Sequence, residues 1–188
     1  AVVLCPGQGA QRVGMGKDLA ERFPGARDLF AAVDDALGFR LSRLMWEGPE
    51  AELTLTHNTQ PAVLTHSIAV AAVVAGSLEP VAGAGHSLGE YAAYAVAGSL
   101  SPADAAKLVR RRGELMHEAG EKRAGSMAAV LGLGTEQVAA ACREASTGAE
   151  VAVPANLNTP DQTVISGDPE AVARAGEKCR AAGAKRVV

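Results

Sequence analysis

The stretch Pro80-Val-Ala-Gly-Ala-Gly-His-Ser-Leu-Gly-Glu90 decides the fold that the sequence predicts. It carries a G-x-S-x-G motif, Gly85 to Gly89, between a short apolar run that predicts a strand over 80–85 and a segment that predicts a helix over 88–97. A strand, a sharp turn and a helix form the context of a nucleophile elbow. We therefore predict that Ser87 is a nucleophile held at a helix N-terminus; the alternative is an ordinary glycine-rich turn.

A serine nucleophile needs hydrogen-bond donors for an oxyanion and a base for its proton. The backbone N–H of Leu88, at the start of the predicted helix, is one candidate donor. None of the four histidines suits the base: His86 adjoins the serine on a tight turn, and the others fall at a helix entry (His57), inside an apolar helix (His66) and on a polar helix face (His117). We therefore expect the base to lie outside these residues.

A second glycine-rich loop, Pro6-Gly-Gln-Gly-Ala-Gln11, follows an apolar run over 1–5 that predicts a buried parallel strand. Loops at the C-terminal ends of parallel strands line ligand crevices. A dinucleotide-binding G-x-G-x-x-G motif is excluded, because Arg12 occupies the position of its third glycine. Gln11 can instead direct its backbone N–H or its side-chain amide toward Ser87, although a turn with a solvent-facing glutamine explains the same spacing.

An arginine interrupts the apolar face of the helix that is predicted from Ser101 to about residue 120. Helical spacing places Arg112 between Leu108 and Leu115 in the middle of that face, with Arg110 nearly opposite. A buried guanidinium needs an anionic partner, because it cannot lose its proton. That partner is either an internal Asp or Glu or the carboxylate of a substrate, which the planar guanidinium can hold with two hydrogen bonds.

Composition excludes several classes of protein. The chain has 188 residues, of which 48% are hydrophobic and 21% charged, and a net charge of −3. These values exclude a disordered chain and argue against a nucleic-acid partner. No apolar run is long enough to span a membrane. The three cysteines are widely spaced without a C-x-x-C motif, which predicts a reducing, cytoplasmic location and no metal site: Cys5, Cys142 and Cys179.

The pattern changes after the charged connector Glu121–Gly125, and this change predicts two lobes of an α/β protein. Residues 125–188 predict the order β-α-β-β-α-β, which is the ferredoxin-like arrangement. Residues 1–124 predict two strands and many helices, and two strands are too few for the sheet that those helices would cover. We therefore expect an incomplete large lobe with an inserted small lobe, and a C-terminal return to the large lobe outside these residues.

Several motifs together resemble one family across essentially the whole chain. The motifs are Pro6-Gly-Gln-Gly-Ala-Gln11, Asn58-Thr-Gln-Pro-Ala62, Gly85-His-Ser-Leu-Gly-Glu90, Arg111-Arg-Gly113 and Asn156-Leu-Asn158. They occur in the same order in the malonyl-CoA:acyl carrier protein transacylases of bacterial type II fatty-acid synthesis. The resemblance implies an α/β-hydrolase-like large lobe with an inserted ferredoxin-like lobe, in agreement with the pattern of predicted strands and helices.

The resemblance also implies a role for each candidate residue. Ser87 would be acylated by malonyl-CoA and pass the malonyl group to the phosphopantetheine thiol of acyl carrier protein. Gln11 and Leu88 would form the oxyanion hole through their backbone N–H groups, and Arg112 would hold the malonyl carboxylate. The catalytic histidine of the family would follow Val188. No cofactor is implied, since the coenzyme A thioester is the substrate.

Three other functions remain compatible with parts of the sequence. An acyltransferase module of a polyketide synthase would share all of the motifs and differ in substrate-selecting residues that this chain does not contain. An α/β-hydrolase-type esterase would explain Ser87 but neither Arg112 nor the ferredoxin-like lobe. A catalytically inactive piece that binds a carrier protein would show intact carrier binding without forming an acyl-serine.

Overall fold

A computed structural model describes all 188 residues of the chain. They divide into two compact units, Ala1–Ala119 and Gly120–Val188. Each unit has its own cluster of buried hydrophobic side chains. The lobe boundary that the sequence predicts, between residues 124 and 125, lies a few residues beyond this division.

The first unit contains a pair of parallel strands, β1 (Val2–Cys5) and β2 (Ala82–Gly85). Cys5 lies opposite Gly85 in the register, so both strands end at the same edge. The His86 N–H continues the pairing by donating to the Cys5 carbonyl at 3.0 Å. As the sequence predicts, the loops that follow the two strands therefore begin side by side.

Helices make up most of the first unit. They are α1 (Lys17–Arg22), α2 (Pro24–Leu37), α3 (Leu41–Glu47), α4 (Glu50–Leu53), α5 (Thr56–Val74), α6 (Gly89–Val96) and α7 (Pro102–Lys122), the last of which continues into the second unit. Helix α5 is buried along much of its length, because its residues are apolar or small on nearly every side. No helix of the chain is both long and apolar enough to cross a lipid bilayer.

Two details of these helices differ from the sequence prediction. The short helix α4 was not predicted. The polar Asn58 before an apolar run, with Pro61 close behind it, predicts a helix over 58–76 that Asn58 caps. Helix α5 instead begins at Thr56, so Pro61 lies inside the helix and not in its first turn. The Asn58 side chain does not cap the helix; its amide donates to the Glu52 carbonyl at 2.8 Å.

The start of α7 agrees with the prediction from Ser101. The Asp104 N–H donates to the Ser101 hydroxyl at 3.1 Å, and that hydroxyl donates to the Asp104 carboxylate at 2.7 Å. The serine thereby satisfies one of the N–H groups that a helix start leaves unpaired.

The second unit is a four-stranded sheet with two helices. It comprises β3 (Ser126–Leu131), α8 (Thr135–Ala145), β4 (Ala152–Thr159), β5 (Gln162–Gly167), α9 (Pro169–Ala181) and β6 (Arg186–Val187). The strand order is β4-β5-β3-β6 and every neighbouring pair is antiparallel. This is the ferredoxin-like topology that the sequence predicts, and the fold class is α/β as expected.

The three cysteines are free and buried, one in the core of the first unit and two in the core of the second. Burial raises the pKa of each thiol, because the apolar surroundings disfavour the thiolate. For Cys142 the pKa rises to about 11, through burial and the neighbouring Cys179. All three behave as small apolar core residues.

Candidate active site

Ser87 occupies a sharp turn between β2 and α6 that only glycines on either side permit. Its φ is +57°, the only positive φ among the non-glycine residues. A Cβ at Gly85 would lie 2.0 Å from the Gly89 carbonyl carbon, and one at Gly89 would lie 2.3 Å from the Cys5 oxygen. The strand and the helix therefore approach each other too closely for any side chain at these positions, and the serine is held in left-handed backbone conformation.

The turn delivers Ser87 to the N-terminus of α6, as predicted. The Gly89 and Glu90 N–H groups donate to the His86 and Ser87 carbonyls at 2.9 and 3.1 Å. The Leu88 N–H donates to no backbone carbonyl, although the Leu88 side chain is buried in the core. This N–H is therefore available to a ligand, which is the requirement for an oxyanion donor.

The loop Pro6–Gln11 lies against the turn. A Cβ at Gly7 would lie 2.6 Å from His86 Nδ1, so the loop backbone passes directly beside the residue that precedes Ser87. Within the loop the Gln11 side-chain oxygen accepts the Gly9 N–H at 2.8 Å. Of the two groups that the sequence offers for Gln11, the side-chain amide is thus held by its own loop, and the backbone N–H is the remaining candidate.

Arg112 is in direct contact with Ser87. Its Nη2 donates to Ser87 Oγ at 2.9 Å, and its Nη1 donates to Gln60 Oε1 at 2.6 Å. The side chain is half-buried, and it forms no ion pair with a carboxylate. A cation held only by neutral groups beside a serine hydroxyl can accept a ligand carboxylate there.

The apolar face of α7 is not the one that helical spacing predicts. Leu108 and Leu115 are 47% and 49% exposed, and the buried residues are small: Ala105, Ala106, Val109 and Gly113. A Cβ at Gly113 would lie 2.6 Å from the Cα of His57, because α7 packs tightly against the first turn of α5. Arg112 still points inward, because it adjoins this small-residue face.

Arg110, which helical spacing places nearly opposite the apolar face, packs onto α5. Its guanidinium donates to the His57 carbonyl at 3.0 Å and to Asn58 Oδ1. It pairs with Glu114 at 2.9 Å and lies 5.0 Å from the centre of the Phe39 ring. Hydrogen bonds from Arg110 hold the pKa of the Glu114 carboxyl below its usual range.

Gln60 is the site residue that sequence reasoning did not single out. It is fully buried. Its Nε2 donates to the Met116 sulfur at 3.3 Å, and its Oε1 accepts a hydrogen bond from Arg112 Nη1. The available signal was a glutamine inside the buried helix α5, where a side-chain amide must find partners within the protein.

No histidine is hydrogen-bonded to the Ser87 hydroxyl, whose side-chain partner is Arg112. The rings of His57 and His117 pack edge to face, with centroids 5.2 Å apart. Partial burial lowers the pKa of His57, and the charges of Arg110 and His117 lower it further. Burial also lowers the pKa of His66. The position of the base therefore stays a prediction.

Fold and site together define a class, the α/β proteins that present a serine on a strained turn between a strand and a helix. Within that class the chain belongs to the acyl transferase domain family, which matches residues 2–188.

Two curated relatives of the chain have the same name. The chain is 48% identical over 185 residues to the malonyl CoA-acyl carrier protein transacylase of Escherichia coli strain K12, and 47% identical over 186 residues to that of Bacillus subtilis strain 168. These alignments include 97% and 98% of the chain, but 60% and 59% of the two relatives. The chain thus spans about 60% of the length of the relatives that it matches.

Solved structures of relatives share the fold of this chain. An acyl carrier protein S-malonyltransferase from Vibrio cholerae superposes with a TM-score of 0.93 at 44% identity, covering 100% of this chain and 61% of that one. A malonyl-transacylase in complex with its type II polyketide synthase acyl carrier protein gives a TM-score of 0.91 at 44% identity, with the same coverage.

Proposed function

We propose that the protein containing this chain transfers a malonyl group from malonyl-CoA to the phosphopantetheine thiol of acyl carrier protein, through a malonyl ester of Ser87. The observation that carries the proposal is the Arg112 guanidinium, which donates to Ser87 Oγ at 2.9 Å and has no carboxylate partner. A cation in that place suits an acyl group that ends in a carboxylate. The names of the relatives support the same substrate and the same acceptor.

In the first half-reaction, Ser87 Oγ attacks the thioester carbonyl carbon. The new O–C bond forms, the hydroxyl proton passes to a base, and the carbonyl oxygen becomes an oxyanion. The free N–H of Leu88 and the backbone N–H of Gln11 are the proposed donors to that oxyanion. The C–S bond then breaks, and the coenzyme A sulfur leaves with the proton from the base. We propose that the base is a histidine outside these residues.

In the second half-reaction, the thiol of the carrier protein attacks the malonyl ester. Its proton passes to the base and then to Ser87 Oγ as the O–C bond breaks, which restores the hydroxyl. Arg112 holds the malonyl carboxylate through both halves, so the acyl carbon keeps its position while the thiols exchange. The cycle needs no cofactor, and we place it in the cytoplasm, where malonyl-CoA serves fatty-acid elongation.

A polyketide pathway is the second candidate for the same chemistry. A structural relative is a malonyl-transacylase bound to a type II polyketide synthase acyl carrier protein. The reaction at Ser87 would be identical, and the carrier protein would differ. An esterase for neutral substrates is disfavoured, because a neutral acyl group would leave the Arg112 guanidinium without an anion.

Replacement of the nucleophile tests the proposal in the full-length protein. Ser87→Ala removes only the hydroxyl oxygen, so incubation with malonyl-CoA should no longer add a malonyl group to the intact mass. Ser77→Ala, in the exposed turn after α5, is the matched control and should label like the wild type. A malonyl adduct that persists in Ser87→Ala would exclude Ser87 as the nucleophile.

A further inference from the structure

We infer that Gln60 determines the acyl-group specificity of the site, by holding Arg112 with a neutral acceptor that leaves its charge available to a substrate carboxylate. The inference rests on the proposed malonyl transfer. The hydrogen bonds of Gln60 go to Arg112 and Met116 and not to Ser87, so it acts through Arg112 as a positioning residue.

The hydrogen bonds fix which end of the amide faces Arg112. A guanidinium only donates, so the Gln60 atom that lies 2.6 Å from Nη1 is the acceptor oxygen. The amide nitrogen is then directed to the Met116 sulfur, which accepts at 3.3 Å. Both ends of a fully buried amide are occupied, so Gln60 has one orientation and Arg112 has one anchor.

Neutrality at this position matters as much as hydrogen bonding. A carboxylate in place of the amide could accept the same hydrogen bond, but it would form a buried ion pair with Arg112. The paired guanidinium would then attract a second carboxylate weakly, and the two negative charges would repel each other. The amide orients the cation without neutralising it.

The two terminal nitrogens of the Arg112 guanidinium, Nη1 and Nη2, also have different roles. Nη1 remains on Gln60, while Nη2 donates to the Ser87 hydroxyl in the free protein. Acylation converts that hydroxyl oxygen into an ester oxygen, which is a poorer acceptor. The Nη2 group is then released to the carboxylate of the attached malonyl group, while Gln60 keeps the guanidinium in place.

The test measures kcat/KM of the full-length protein for malonyl-CoA and acetyl-CoA in two variants. Gln60→Glu keeps the anchor and adds a charge, and Gln60→Leu removes the anchor. We expect both to lower malonyl transfer about 10- to 100-fold while acetyl transfer stays within about threefold, because acetyl has no carboxylate to bind. Gln137→Glu, on the exposed face of α8, controls for added charge and should leave both rates unchanged.

Each other outcome overturns the inference. Equal losses for both substrates in Gln60→Glu would make Gln60 a purely structural residue. A loss in Gln60→Leu without one in Gln60→Glu would mean that the anchor matters and its neutrality does not. Unchanged malonyl transfer in both variants would remove Gln60 from the site. If the wild type forms no malonyl-Ser87, the proposed function fails instead, and intact mass detects that case separately.

Discussion

At the scale of single residues, the site depends on a cation that the protein leaves unpaired. Other arginines of α7 are paired with carboxylates, Arg110 with Glu114 and Arg111 with Glu114 and Glu118. Arg112 follows them directly in sequence and has only the neutral partners Ser87 and Gln60. Acidic residues are therefore available on the same helix, and the packing of α7 directs Arg112 away from them.

The first residue-scale prediction concerns this cation. Arg112→Ala should reduce malonyl transfer by about 2 to 4 kcal/mol in kcat/KM, the range for losing one partner of a buried charged hydrogen bond. Acetyl transfer should stay constant or rise. A neutral acetyl group gives the Arg112 guanidinium no anionic partner, so removing that cation costs acetyl transfer nothing. Arg112→Lys should rescue malonyl transfer only in part, since an ammonium cannot hold a carboxylate with two parallel hydrogen bonds.

Rates with malonyl-CoA and acetyl-CoA for the wild type and both variants supply the measurement. A loss of the same factor for both substrates in Arg112→Ala would identify Arg112 as a structural residue that only supports Ser87.

At the scale of elements, the contact between α5 and α7 positions Arg112, and two glycines of α7 test it. Gly113→Ala would place a Cβ 2.6 Å from the His57 Cα, so we expect a loss of about 1 to 3 kcal/mol in stability and a displaced Arg112. Gly120→Ala, in the same helix, meets nothing within 4 Å and should stabilise by up to about 1 kcal/mol.

Thermal unfolding compares the two variants, and malonyl transfer reports on the displacement of Arg112. Equal stability of Gly113→Ala and Gly120→Ala would show that α7 does not need its close approach to α5.

The second unit offers an element-scale prediction on pH. Asp168 precedes α9 and accepts the Val151 N–H at 2.8 Å while pairing with Arg123 at 2.7 Å. The Val151 hydrogen bond, and then Arg123, hold the pKa of the Asp168 carboxyl below its ordinary value. The stabilisation is therefore present above the unfolded pKa of about 3.9 and is lost as the pH falls through the lower folded value.

Asp168→Asn removes this titration. Hydrogen-exchange protection of the second unit should be lower in the variant than in the wild type at pH 7, and this difference should disappear as the pH falls from about 4 through the lower folded pKa of Asp168. A difference that does not depend on pH would mean that the carboxylate charge contributes nothing to stability.

Much of the fold and of the candidate site could be predicted from the sequence, but the buried face of α7 could not. The elbow around Ser87 and the ferredoxin-like order were predictable, because glycine spacing and apolar runs reflect local backbone requirements. The buried face of α7 was not, since helical spacing counts Leu108 and Leu115 as core while the contact with α5 uses Val109 and Gly113. Which face is buried depends on the neighbouring helix, and single-sequence periodicity does not contain it.

At the scale of the whole molecule, β1 and β2 form a sheet of only two strands with apolar residues on its surface. Val2, Leu4 and Val81 are 60%, 76% and 80% exposed. Each strand has one unpaired edge, and exposed apolar edges favour association. A polypeptide of residues 1–188 alone should therefore self-associate and bind a hydrophobic dye more strongly than the full-length protein.

Light scattering and dye fluorescence at matched concentration measure this difference. Leu4→Lys, which places a charge on the exposed face, should reduce association of the 188-residue chain. A dye-free monomer of the unmodified chain would contradict the prediction.

The positive φ of Ser87 lowers the stability of the fold at a position where the proposed reaction needs a serine. A left-handed backbone costs a non-glycine residue about 1 to 2 kcal/mol, and glycine would adopt the same turn freely. Ser87→Gly would thus give a protein that is inactive yet harder to unfold. Random mutagenesis selected for thermal resistance alone would therefore favour loss of the proposed nucleophile. Stabilising such a fold requires a simultaneous screen for acyl transfer.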